Sequence, residues 1–180
     1  QLADGTWTNY VPTDAMTPRR LMDEWYPTDV DTGPLHLSRL GALDPYSWLT
    51  TAMLHDHEDN LFLDNKGAAN EPVYVQQANA YLLRDEPKAV IRSFYSLMAC
   101  GFSHQQYSPL EHRWAHGQYY GPPSTDGAWF EIYRKMLLNE LEYETLMIGQ
   151  AIPRDWLKSG KRIEVKNAPT YFGKISFSME

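Results

Sequence analysis

"STDGAWFEIYRKMLLNELEY", residues 124–143, decides how the chain is read. Trp129, Ile132, Tyr133, Met136 and Leu137 recur at three-and-four spacing, with Glu131, Arg134, Lys135 and Glu142 falling elsewhere. That period aligns apolar side chains on one face and predicts a helix. Ser124, Thr125 or Asp126 is expected to cap its start, a side-chain oxygen accepting from a first-turn N–H.

Working toward the N-terminus, the same kind of start recurs. "DEPKAVIRSFYSLMACGF", residues 85–102, reads as a helix begun by Asp85, and Val90, Ile91, Phe94, Tyr95, Leu97 and Met98 predict burial on more than one side. "NEPVYVQQANAYLLRD", residues 70–85, reads as a helix capped by Asn70 with Pro72 in the first turn, running to about Leu83. Residues 34–43 and 44–56 read as a helix or a helix pair, the second begun by Asp44 as N-cap and Pro45 at N1. Residues 1–34 carry four prolines and predict a segment that wraps a surface, with at most a short helix around Thr17 to Trp25.

Toward the C-terminus the period changes. Ile163 and Val165, then Ile175 and Phe177, alternate with polar positions as strands do. The reading is mainly α: residues 1–152 form helical hairpins behind the proline-rich wrap, and residues 153–180 begin a β unit. The pattern looks cut at Glu180, and the start at Gln1 reads as a processed or excised piece.

Composition bounds the function. The 180 residues and a 43% hydrophobic content suffice for one globular domain, or one plus an appendage. With a net charge of -7 and no Lys/Arg run longer than two, the chain lacks the basic footprint of a nucleic-acid binder. No apolar stretch approaches the roughly 18 residues of a membrane-spanning helix. The one cysteine, Cys100, excludes an intrachain disulfide and reads as an inert buried thiol. Phosphate loops, the dinucleotide fingerprint, the Gly-x-Ser-x-Gly elbow and the zinc-protease HExxH are absent, so no cofactor is expected.

Capable chemistry is concentrated in "EHRWAHGQYYGPPSTDGAWF", residues 111–130, where prolines and glycines prevent one continuous helix. Rigid elements hold while loops touch ligands. Glycosidic cleavage requires two carboxylates in different environments, one protonated and one ionised, and Glu111, Glu71 and Asp126 are the candidates. Each has a plainer reading: an ion pair with Arg113 for Glu111, a first-turn dipole contact for Glu71, a cap for Asp126. His112 and His116 are four apart, and His55 and His57 two apart beside Asp56, Glu58 and Asp59; neither group is expected to hold a metal. Trp114, Tyr119, Tyr120 and Trp129 are suited to stack on sugar faces, and His112 and Arg113 to hydrogen-bond hydroxyls or a uronate carboxylate.

Residues 8–36, "ANEPVYVQQANAYLLRDEP", "SPLEHRW", "QYYGPPSTDGAWFEIYRKML" and "RIEVKNAPTYFG" resemble the carboxy-terminal half of large uncharacterised bacterial six-hairpin glycosidase-like proteins. The resemblance implies an (α/α)6 toroid followed by the start of a β-sandwich, of which this chain would hold about half the toroid. It implies an exported glycoside hydrolase acting on plant or microbial glycans, and a partnership with the rest of its own polypeptide. The motifs "NEP", "LEHRW" and "STDGAWF" would supply Asn70, Glu71, Glu111, His112, Arg113, Trp114, Asp126 and Trp129. Two other classes remain open: a non-catalytic carbohydrate-binding or scaffold protein, and a polysaccharide lyase with His112 or Tyr119 as base.

Overall fold

The computed structural model describes residues 34–58, 77–103, 107–110, 123–141 and 145–180. The expected wrap over residues 1–33 and the start of the helix expected from Asn70 lie outside the described residues, as does the side chain of Cys100. Among the described residues five α-helices come first: α1 (Pro34–Arg39), α2 (Trp48–His57), α3 (Gln77–Leu83), α4 (Pro87–Gly101) and α5 (Pro123–Leu137). Strands β1 (Leu138–Leu141) and β2 (Thr145–Ile148) pair antiparallel, and after a 3-10 turn so do β3 (Ile163–Thr170) and β4 (Gly173–Met179).

This architecture corrects the expected one. The described residues form a mixture of helices and two small antiparallel sheets, and they are not a helical toroid. The decisive difference lies in the opening stretch of the sequence, where the helix stops at Leu137 and the chain turns into β1. The physical reason is a capture of carbonyls. Ala151 N–H donates to the Met136 oxygen at 3.2 Å and Gly149 N–H to the Leu137 oxygen at 2.8 Å, so the returning chain satisfies the helix's last acceptors. Leu138 and Asn139, 1% and 3% exposed, are then buried by pairing with Ile148 and Met147.

The helix starts also shift. Ser47, not Asp44, caps α2, its hydroxyl oxygen accepting from Thr50 N–H at 3.2 Å. Asp44 instead accepts from Tyr46 N–H at 2.8 Å, closing a turn that ends at the true cap. Asp85 lies outside α4, with φ of 52°, as the left-handed residue that ends α3. Asp85 N–H donates to the Leu82 oxygen and Glu86 N–H to the Tyr81 oxygen, the paired bonds of a Schellman end, and Pro87 then begins α4 at its first position. Helix α5 begins at Pro123, which puts Ser124, Thr125 and Asp126 inside the first turn rather than at the cap.

The core forms where these helices meet. Leu35, Met53, Leu54, Ala78, Leu82, Val90, Phe94, Leu97, Ile132 and Met136 are buried together, each at most 5% exposed. Tyr95 and Met98 are 43% and 40% exposed, so α4 buries a single face, through Val90, Ser93, Phe94 and Leu97, rather than most of its circumference. On α5 the expected face holds: Ile132 and Met136 are inside, while Trp129 and Tyr133 flank the core in parallel stacking, with ring centroids 5.3 Å apart. Phe94 joins both rings and reaches Trp156, whose indole N–H donates to the Tyr95 hydroxyl at 3.0 Å.

The β3–β4 hairpin docks on this body through the turn after β2. A Cβ at Gly149 would approach the Ile152 Cδ1 and Met179 Cε atoms at 3.0 Å, and its φ is +72°. Both features favour glycine. Two variants should separate core from docking in urea unfolding: Phe94→Ala is expected to cost about 3–5 kcal/mol, and Gly149→Ala about 1 kcal/mol or more. A neutral Gly149→Ala would contradict the close approach.

Candidate binding groove

The turn between α1 and α2 builds one wall of a groove. Leu37 and Ser38 carbonyls accept from the N–H groups of Ala42, Leu43 and Gly41, which folds the chain back and leaves Tyr46 62% exposed. The Arg84 guanidinium lies 5.6 Å from the Tyr46 ring centroid, backing the ring. Asn79 and Leu82 come from α3, Lys135 from α5, Asn139 and Glu140 from β1, and together with Arg39 they enclose about 640 Å³. That volume lies within the roughly 300–1,000 Å³ typical of small-molecule sites.

Ion pairs with residues outside the lining hold its charged side chains in place. Arg39 Nη2 donates to both Glu131 oxygens, at 3.0 and 2.9 Å, across 92 positions of sequence. Lys135 Nζ donates to Glu131 Oε1 at 2.6 Å and to Asn79 Oδ1 at 2.8 Å. Burial alone would raise the Glu131 carboxyl, but the hydrogen bonds and charges of Lys135 and Arg39 outweigh it and hold it below the ordinary 4.5. Arg134 pairs with Glu140 at 3.0 Å, and Tyr171 N–H, at the hairpin tip, donates to the same carboxylate at 3.4 Å.

A second, smaller cavity of about 160 Å³ lies between α2 and the α3–α4 turn. Tyr81 donates to Glu58, which also pairs with Arg92. Burial, reinforced by Glu86 and opposed by Arg84, pushes the Tyr81 hydroxyl up to about 12. It is therefore a donor at neutral pH and no base. Arg84 donates to Glu86, the Pro45 oxygen and Thr51, a knot that fixes α2 against the α3–α4 turn.

Of the residues that the sequence singled out, Asn70, Glu71, Glu111, His112, Arg113, Trp114, Tyr119 and Tyr120 lie outside the described residues. Asp126 is exposed in the first turn of α5, where a carboxylate favours the helix dipole. Trp129, one turn on, stacks face to face on Tyr133 and makes a T-shaped contact with Phe102, and its indole N–H is buried without a partner among the described residues. Neither residue lines the groove. Among the described residues no three His, Cys, Asp or Glu side chains converge as metal ligands, and no helix is long and apolar enough to cross a membrane.

Comparison with protein-family models, curated proteins and solved structures gives no match. The groove thus stands on its geometry alone. Arg39, Tyr46, Asn79, Lys135 and Glu140 were not picked out from the sequence. The Glu131–Lys135 pair was readable as an i,i+4 contact on the predicted helix, while Arg39 and Asn79 reach it only through tertiary packing.

Glu131→Gln tests these ion pairs. Because the folded carboxyl sits below its ordinary 4.5, its stabilisation is complete above that pH and lost as pH falls through the lowered value. The variant should be less stable than the parent by about 1.5–3 kcal/mol at neutral pH, and this gap should shrink toward zero in acid, followed by chemical unfolding across pH. A gap that stays constant with pH would contradict the ionised clamp.

Proposed function

We propose that the chain is the carbohydrate-binding part of a carbohydrate-active protein and that the α1–α3–α5–β1 groove holds the sugar. The observation that carries this reading is the groove's lining: one exposed aromatic ring beside fixed amide, ammonium and guanidinium donors. A pyranose ring has an apolar face for a tyrosine and equatorial hydroxyls for such donors, and a groove of this size suits a short oligosaccharide. The sequence resemblance to glycosidase-like proteins points to the same ligand class.

Cleavage is a second step of the same reading. A glycosidase acid must be held protonated, above the ordinary carboxyl range, whereas Glu131 is held below it. Glu131, which clamps the lining cations, is therefore a positioning group, and we assign hydrolysis to Glu111 as acid with Glu71 as partner, since Asp126 does not line the groove. A non-catalytic binding protein needs only the groove.

Titration calorimetry with a panel of plant and microbial oligosaccharides tests the binding, and reducing-end release from the same panel tests cleavage. Saturable binding is expected, weakened roughly fivefold by Tyr46→Ala, which corresponds to about 1 kcal/mol of lost ring contact. Binding of no member, or a Tyr46→Ala variant that binds as the parent does, would overturn the groove as the sugar site. Release abolished in Glu111→Gln would establish the hydrolase; release unchanged in that variant would remove Glu111 from the chemistry.

A further inference from the structure

The charge around the groove is unbalanced among the described residues. Arg39 and Lys135 line the groove beside one carboxylate, Glu140; Glu131 pairs with both cations and Arg134 with Glu140 from outside the lining, so that among the described residues three cations stand against two carboxylates. The surplus of one positive charge is local, because the whole chain carries -7. It is also not spent internally. Arg39 uses only Nη2 on Glu131, so its Nη1 and Nε donors have no partner among the described residues, and Lys135 uses two of its three N–H donors, on Glu131 and Asn79.

Both side chains line the groove and both are about two-thirds buried, at 32% and 28% exposure. Partial burial reduces screening, and the Glu131 clamp fixes both cations before any ligand arrives, which lowers the ordering cost of recognising an anion. Fixed cations with spare donors beside an aromatic ring suit a sugar that carries a carboxylate.

We propose that the groove selects acidic sugars, its ligand being a uronate-containing oligosaccharide whose carboxylate is taken by Arg39 and Lys135 while Tyr46 meets the sugar ring. The proposal rests on the carbohydrate reading and adds the ligand's charge to it. Recognition is by charge-assisted hydrogen bonds, shorter and roughly twice as strong as neutral ones. A neutral ester of the same sugar keeps the ring contact and loses this one.

The experiment measures binding of the full chain to galacturonate, glucuronate and mannuronate oligomers, each beside its methyl ester, with the neutral panel and sodium acetate as further probes. At least one uronate should bind about tenfold tighter than its ester, a difference of about 1.4 kcal/mol. That preference should shrink as salt is raised, while ester affinity holds steady. Lys135→Gln should remove the preference and Lys135→Arg should keep most of it; the salt series needs no variant, so a fold damaged by Lys135→Gln leaves the test standing. Uronate and ester binding alike, or only neutral sugars binding, would overturn the acidic preference while leaving the carbohydrate groove in place. Acetate binding as tightly as the uronates would overturn the sugar as the recognised unit. No saccharide binding at all would overturn both.

Discussion

Glu131 holds two cations at the point where three helices converge. Arg39 brings the end of α1 to it, Lys135 belongs to its own helix, and Asn79 of α3 completes the arrangement by accepting from Lys135. A carboxylate this far out of water costs free energy unless it is paired and hydrogen-bonded, so the clamp is stable only with both cations present. Its directionality adds what the core cannot. Ile132 and Met136 drive α5 against its neighbours without specifying where the end of α1 must stop, whereas hydrogen bonds from one guanidinium nitrogen to both oxygens do.

The groove follows from that constraint. With α1 fixed, the tight turn after it must carry Tyr46 past the ends of α3 and α5, and the space left between them opens toward β1. That strand exists because the turn at residues 149–151 takes the last carbonyls of α5. The β3–β4 hairpin then closes against the same corner, its tip reaching Glu140 through Tyr171 N–H. The cations that hold the helices together, Arg39 and Lys135, are therefore also the ones that line the groove.

Legibility of this arrangement in the sequence follows the range of the interactions. The buried face of α5 and the alternation of β3 and β4 were readable, because a 3.6-residue or two-residue period is a local record of which side is buried. The start of α4 was off by only a residue or two, since Asp85 and Pro87 signal a boundary but not which residue takes the left-handed conformation. Strand β1 was missed for a physical reason: Leu138, Glu140 and Leu141 are good helix formers that continue the pattern of α5, and pairing with residues 145–148 overrides that preference. The toroid expectation failed at the same place, since a chain that turns from α5 into a β hairpin does not continue as helical hairpins. The groove was almost illegible, because Arg39 and Glu131 meet only after folding.

The Arg39–Glu131 contact is the source of both helix placement and cation fixation, and a double-mutant cycle on that pair tests this most directly. Arg39→Met, Glu131→Gln and the double variant would be unfolded in urea beside the parent at neutral pH. A coupling energy of about 1–3 kcal/mol is expected, the double variant losing much less than the sum of the singles. A coupling indistinguishable from zero would contradict it, since α1 would then be held by apolar packing alone and the groove's cations would have no fixed geometry.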